Sequence, residues 1–561
     1  MLAPHIARIA VNGWVLVIAL GASAAAASVQ LTPAEKSAAQ TINADTLRAH
    51  IRFLASDLLE GRGPATRGDQ LAELYVASQM ESLGLKPGGS GGWFQPFDVI
   101  GVNGHPDTLS FSGNGKKLDL KFQQEFMGVA WKQEPQSRVD NAEVVFVGYG
   151  IVAPEFQWDD YKGMDLKGKV LLMMNNDPDW DPNLFAGKTR LWYGRWDYKY
   201  ESAAKTGAVA AIIIHTTPSA GYPWQVIQTS WAGEQFTLPY EGGPKLEMRA
   251  WTTEEASKKI AALGGKDLDA LVKSARSRDF KPVPLGVTLS TAFQNTVQKK
   301  QTGNVIGVLK GNDPKLSQQV VLYTAHHDHL GIRKGAKPGE DDIYNGAVDN
   351  ASGVSALLSI ARAFTAMPKA PRRTIMFAAV AAEEQGLLGS QYLAQHPPVP
   401  PGMFAVDINI DGLNIWGKTK DISFIGLGKS TLDGVVKDLA ALQGRVVKPD
   451  EMPDRGFFYR SDQFNFAKIG VPAFYSHHGL DFTGRPDGWG KKQREEWEAT
   501  HYHQPSDELN DQWNFEGAVQ DVQLFFELGD QVANLNAMPE WKKGDEFEQA
   551  RKKALMTIGQ R

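Results

Sequence analysis

The chain has 561 residues, of which 42% are hydrophobic and 22% charged, with a formal net charge of −5 and no cysteine. That length calls for two or three folded units, with an ordinary globular balance and ample material for a core. The charge gives no reason to expect nucleic acid as a partner, and the missing cysteines exclude disulfides, thiol nucleophiles and sulfur-ligated metals, leaving His, Asp and Glu as metal ligands.

The first segment, "MLAPHIARIAVNGWVLVIALGASAAAASVQ", sets Arg8 before an apolar stretch from Trp14 to Ala22, followed by an Ala-x-Ala site at Ala25 to Ala27. This is the pattern of a secretory signal peptide over 1–27, cleaved before Ser28. The apolar stretch is short for a bilayer span, and no later run is long enough. The mature protein is therefore expected to be exported, periplasmic or secreted, with no stable membrane insertion after cleavage.

Between Thr41 and Leu85, "TLRAHIRFLASDLLEGR" and "GDQLAELYVASQMESLGLKPG" carry apolar residues at helical spacing, each with glycine near its end. Gly88 to Trp93 is a glycine-rich loop, and alternation from Pro96 to Met127 predicts strands. The character then changes. "AEVVFVGYGIV", "LKGKVLLMMNND" and "YKYESAAKTGAVAAIIIHTT" predict strand, strand, then helix, turn and buried strand. With a further helix at "TTEEASKKIAALGG", this stretch reads as an α/β insertion over 136–290 with no cluster of His and carboxylates, only the isolated His215.

After that unit the alternation becomes regular. "QVVLYTAHHD", "RRTIMFAAVAAEE", "MFAVDINIDGLN" and "VPAFYSHHG" predict strands; "DNASGVSALLSIARAFTAM", "GLLGSQYLAQH" and "FEGAVQDVQLFFELGDQVANL" predict helices, the first with Asp, Asn and Ser as candidate caps. Such alternation predicts an α/β fold, a mostly parallel twisted sheet flanked by helices. The stretches on either side of the insertion, 28–135 and 291–540, are placed together in the main domain. The charged tail, 541–561, is expected to be a solvated helix or a frayed end.

In open sheets of this kind, sites collect beyond the carboxyl ends of the strands. Those ends deliver His326, His327, Asp328 and His329 from "TAHHDHLG", Asp349 from the following loop, Glu383 and Glu384 from the next strand, and Asp411 from "NIDG". "ATHYHQPSDE" adds His501, Tyr502 and His503. Each alone is more often a capping or solvated group. In succession they form an oxygen and nitrogen set suited to Zn²⁺ or a similar divalent ion, with enough carboxylates for one to bridge a pair of ions and one to act as base.

"TAHHDHLG", "IYNGAVDNASGVSALL", "AAEEQGLLGS", "INIDGLN", "RSDQFNFAKIGVPA" and "YHQPSDEL" together resemble the motif series of the di-zinc aminopeptidase family, which includes secreted bacterial leucyl aminopeptidases and has glutamate carboxypeptidases as relatives. The resemblance covers roughly 290 to 535, and 40 to 100 resembles the family's N-terminal portion. "VVFVGYGIVAPEFQWDDYKGMDLKGKV" resembles the protease-associated domain that some members carry as an insertion. The resemblance implies a zinc exopeptidase fold and two Zn²⁺ per chain, with His326, Asp349, Glu384, Asp411 and His503 as metal ligands. Asp349 would bridge, Glu383 would be the general base, Asp328 would orient the imidazole of His326, and Tyr502 would steady the oxyanion.

His327, His329, His477, His478 and His501 are expected to be hydrogen-bonding residues near the cleft, and Asp341 and Asp342 to be solvated. Arg455, Tyr459, Arg460 and Asp462 lie beside the segment that faces substrate in the family; surface pairing is the expectation for the arginines. The favoured function is removal of N-terminal residues from peptide substrates. Carboxypeptidase, other amide hydrolase or cyclase activity on the same fold is the alternative, and a receptor-like module without catalysis is a further one, which the complete ligand set disfavours.

Overall fold

The computed structural model describes residues 29–333 and 337–559; the expected signal peptide, 1–27, lies outside the described residues. Two long β runs thread both halves of the molecule. Phe94–Asn103 turns into Thr108–Gly113, and Val283–Gln294 returns through the single residue Asn295 into Thr296–Leu309. Asn295 fixes that passage: its side-chain amide donates to the carbonyl of Glu134 and to Ser137 Oγ, both at 3.0 Å.

The first sheet runs, in spatial order, Gln235–Thr237, Phe94–Asn103, Thr296–Leu309, Thr374–Val380, Val320–His326, Phe404–Asn409, Ala473–His478, Asp421–Ile425 and Val446–Pro449. The four strands from Thr374–Val380 to Ala473–His478 are parallel, and antiparallel strands extend them on both sides. This is the sheet expected from the sequence, with its parallel part at the centre. Apolar residues alternate between its faces. Val321, Tyr323 and Ala325 pack with Leu357, Phe364 and Phe526 of the helices Gly353–Ala366 and Glu516–Asn534, while Val320 and Leu322 pack with Leu393 and Phe466 opposite. Burial on both faces is why these strands read as continuous apolar runs, each large side chain contributing roughly 1.5–3 kcal/mol.

The second sheet, in the order Lys116–Lys121, Thr108–Gly113, Val283–Gln294, Gln136–Phe146, Val170–Met174, Ala210–His215, Met248–Thr253 and Phe126–Val129, has a core of its own. It corrects the expected boundary at 136. Thr108–Gly113 pairs with Val283–Gln294, and Phe126–Val129 with Met248–Thr253, so the inserted unit begins at Thr108. Short alternating strands look alike in either sheet, and only their long-range partners assign them. Conversely, Gln235–Thr237 leaves the insertion to pair with Ile100–Val102 in the first sheet.

The charged tail is also more than a solvated helix. Trp541 and Phe547 are buried, Trp541 Nε1 donates to the carbonyl of Gly470 at 3.1 Å, and Arg551 Nη1 donates to that of Phe404 at 2.8 Å. Among the described residues, no helix is long and apolar enough to cross a membrane.

Candidate metal centre

His326 closes the strand Val320–His326 and is buried. Its Nδ1 donates to the backbone carbonyl of Asp328 at 3.3 Å, which leaves Nε2 turned into the cleft. There Nε2 stands 3.2 Å from Asp349 Oδ1 and 3.2 Å from Asp411 Oδ1. Asp349 offers its other oxygen, Oδ2, to His503 Nε2 at 3.3 Å, and that nitrogen lies 3.1 Å from Glu384 Oε2. One carboxylate is thus shared by two sets of nitrogen and oxygen donors.

The spacing decides what those sets are. Two ligands about 2.0–2.2 Å from a tetrahedral zinc lie about 3.3 Å from each other. The pairs around His326 and His503 have that separation. His329 is different: its Nδ1 is 2.6 Å from Glu384 Oε1, the length of a direct hydrogen bond. His329 therefore steers Glu384, although it also falls within a cluster of metal-binding type with Asp349 and Glu384. The residues fit two ions, with His326 and Asp411 on one, His503 and Glu384 on the other, and Asp349 between.

The turn carrying Glu383 and Glu384 is held from an unexpected side. Ala382 (φ 52°) and Gly386 (φ 103°) bracket a single 3₁₀ turn, Glu383–Gln385, before the helix Leu388–Gln395 begins. Both backbone N–H groups of the acidic pair donate to the carboxylate of Asp328, at 3.0 and 3.3 Å. That carboxylate is 3.7 Å from His326 Nδ1, beyond a hydrogen bond. Asp328 thus orients the imidazole through its backbone and pins the acidic turn through its side chain, whereas the sequence resemblance assigned the imidazole to the side chain. Nor does Asp349 cap the following helix. Asn350 Oδ1 accepts from Gly353 N at 2.8 Å and Gly412 N at 3.0 Å, tying the helix start to the loop of Asp411.

Several supporting residues were absent from the expected set. The carboxylate of Asp507 accepts from the backbone of Val348 and Asp349 at 2.9 and 3.0 Å. Its place four residues after His503, inside "YHQPSDEL", was the available signal. Arg62 donates to the carbonyls of His327, Asn345 and Gly346 at 2.8, 2.7 and 3.0 Å, clamping two loops of the site. Ser230 Oγ lies 3.0 Å from His503 Nδ1, from 273 positions away, and no local pattern marks it.

The electrostatics are those of a crowded, buried anionic cluster. Burial pushes Glu383 well above the usual carboxylate range; His326 opposes that, and Glu384 and Asp411 add to it. Burial acts against the charged form of His326, but Glu383, Asp328, Asp349 and Asp411 outweigh it and raise the imidazole well above its ordinary value. His503 is pushed up to about 10, its carboxylate neighbours again exceeding burial. Cations in the cleft would replace those protons as the neutralising charge, returning both imidazoles to their neutral, ligating form.

Glu383 Oε2 is 4.0 Å from His326 Nε2 and faces the cleft. Tyr502 borders the same space, its hydroxyl 3.4 Å from Arg460 Nη2. Burial raises Tyr502 well above its ordinary value despite the arginine, so the phenol keeps its proton. Of the competing histidines, His327 turns away and donates to Asp69 Oδ1 at 3.0 Å. His477 accepts from Arg494 at 2.6 Å, and His501 lies tilted against Trp497 with the ring centroids 4.3 Å apart. His478 donates to the carbonyl of Gly479 at 2.9 Å. Arg455 pairs with Glu498 as expected, while Arg460 points to the cleft and Asp462 is fully buried behind His326.

Residues 304–526 match the family model of peptidase family M28. This part of the chain belongs to that family. The M28 residues begin after the inserted unit and contain every candidate ligand. A "Probable zinc metalloprotease" of Phaeosphaeria nodorum is 30% identical over 159 residues, which is 26% of this chain and 28% of that protein. One of the same name from Pyrenophora tritici-repentis is 50% identical over 107 residues, 19% of this chain and 23% of that protein. The chain thus spans about a quarter of the length of these curated relatives. Among solved structures, the aminopeptidase from Aneurinibacillus sp. strain AM-1 superposes with a TM-score of 0.52 at 21% identity, covering 90% of this chain and 97% of that one. That likeness extends the shared fold beyond the M28 residues and across most of the chain.

Proposed function

We propose that the protein is a di-zinc exopeptidase that removes N-terminal residues from peptides. The observation that carries this reading is Asp349, whose two oxygens face two separate donor sets. The names of the M28 relatives support the coarser reading of a zinc-dependent protease, and the fold shared with the Aneurinibacillus aminopeptidase is compatible with an exopeptidase.

Two zinc ions held by His326, Asp349, Asp411, Glu384 and His503 would supply the Lewis acidity that polarises a peptide carbonyl and makes water nucleophilic at neutral pH. The chain's own residues do the rest. Glu383, buried at the edge of the cleft, takes the proton of the attacking water and returns it to the departing amine. The raised phenol of Tyr502 donates a hydrogen bond to the oxygen on which negative charge develops, with the Arg460 guanidinium behind it. An apolar cavity of about 170 Å³ beside Asp349 and Asp411, walled by Trp416, Trp497 and Phe457, receives the side chain of the N-terminal residue.

Hydrolysis of a free peptide against its N-acetylated form tests the exopeptidase part: cleavage of only the free amine is expected, and equal cleavage of both refutes it. The leader read in 1–27 would carry the protein out of the cytoplasm. Sequencing of the mature N-terminus tests this, with Ser28 as the expected first residue and an uncut chain as the contrary result.

A further inference from the structure

A second cavity, of about 100 Å³, adjoins the apolar one and shares Tyr222, Glu383, Arg460, Tyr502 and His503 with it; Glu384, Arg195 and Arg249 line it as well. Buried arginines are normally paired with carboxylates. Among the described residues none of these three has a carboxylate within hydrogen-bonding distance, and only Arg195 is in an ion pair, a long one to Asp197. Arg249 is 9% exposed, and its Nε has no hydrogen-bond partner among the described residues. Arg195 Nε is likewise buried without one, its nearest carboxylate, Asp197, standing off at 3.6 Å. Arg455 pairs with Glu498, but Arg460 forms no ion pair among the described residues. It lies over the rings of Phe457 and Tyr222 at 5.1 and 5.3 Å. Stacking on Trp131, Tyr200 and Trp231 explains how Arg249 packs, but it leaves the N–H unsatisfied.

The position of this cavity says which part of a substrate meets it. An N-terminal residue has no chain before it and needs only a pocket, whereas the departing portion needs a continuing path. The arginine-lined cavity shares Trp196, Arg249, Gln385 and Gly386 with a cleft of about 980 Å³ between the inserted unit and the M28 residues. The apolar cavity beside Asp411 shares no lining residue with that cleft. The departing side of the peptide therefore runs past the arginines.

We propose that Arg195, Arg249 and Arg460 form a receptor for a substrate carboxylate on the leaving-group side, so that the enzyme favours peptides with a carboxylate within about one or two residues of the cleaved bond. This rests on the aminopeptidase reading above. The carboxylate is either the C-terminus of a short peptide or the side chain of an acidic residue after the bond; both present the same planar pair of oxygens to a guanidinium fork.

The test compares kcat/KM of the zinc-loaded, full mature chain on Leu-Gly, Leu-Gly amide, Leu-Glu amide and N-acetyl-Leu-Gly. Leu-Gly or Leu-Glu amide should exceed Leu-Gly amide by about tenfold or more, and the faster of the two identifies the source of the carboxylate. In Arg460→Gln that ratio should fall toward unity, and in Arg195→Gln it should fall in part. Because Arg460 also touches Tyr502, the ratio between substrates is the readout, not the absolute rate. Equal rates on acid and amide by the wild-type enzyme, with the acetylated peptide inert, would overturn the receptor and leave the aminopeptidase standing. Cleavage of the acetylated peptide as fast as the free one would overturn both.

Discussion

Ser230, in the inserted unit, places its hydroxyl 3.0 Å from Nδ1 of His503, the imidazole whose Nε2 faces Asp349 and Glu384. With a metal on Nε2 the His503 proton would sit on Nδ1 and donate to this hydroxyl, so the insertion would help to orient a ligand of the second proposed metal position. Hydrogen bonds of this kind from outside the ligand set are worth about 10–100-fold in metal affinity. Ser230→Ala should weaken retention of one ion by that factor in a graded chelator titration, and Ser230→Thr should restore it. Unchanged retention in the alanine variant would show that the insertion leaves the metal site alone.

Glu383 contributes to neither of the two donor sets. Glu383→Gln should keep the metal content of the wild type and lower kcat by about 10²–10⁴-fold, the range for loss of a proton-transfer group. If the variant also lost metal, Glu383 would have to be counted among the ligands.

Asp328 holds the acidic turn by accepting two backbone N–H groups. Asp328→Asn replaces one acceptor with a donor, which should cost about 1–3 kcal/mol of stability and reduce kcat by misplacing Glu383. Since the carbonyl of Asp328 still holds His326, both ions should remain. Elemental analysis decides: loss of an ion would mean that the carboxylate acts on the imidazole after all.

Glu527 and Asp530 of the helix Glu516–Asn534 are buried near Glu35. Burial first, and then Glu35, raise Glu527 from 4.5 to about 7 and Asp530 from 3.8 to about 8. The folded chain therefore holds protons that the unfolded chain has released, and stability falls as pH rises from about 4 to about 8. Their share of that fall is on the order of a few kcal/mol. Asp530→Asn should flatten it, seen as a difference in denaturant midpoints between variant and wild type across that window. A parallel pair of curves would contradict the assignment.

Three of the five candidate ligands, His326, Glu384 and Asp411, were legible because they sit where a strand runs out. Val320–His326, Thr374–Val380 and Phe404–Asn409 are apolar runs, and the first polar residues after them face the cleft. The choice of His326 over His327 also followed from strand alternation, which turns His327 to Asp69. What could not be read was set by long-range contact. The start of the insertion at Thr108 depends on pairing with Val283–Gln294, and Ser230 reaches His503 only through the packing of the two units. Asp328 does orient His326, but through its carbonyl and not its carboxylate, for a local reason: side chains at i and i+2 share a side only while the chain stays extended, and the strand ends at His326.

The most direct test is the metal content per chain, by elemental analysis, of the mature wild-type protein and of Asp349→Ala. A carboxylate shared by two donor sets predicts about two zinc ions in the wild type and loss of metal together with activity in the variant. One ion or none in the wild type, or a variant that keeps both, would contradict the dinuclear centre.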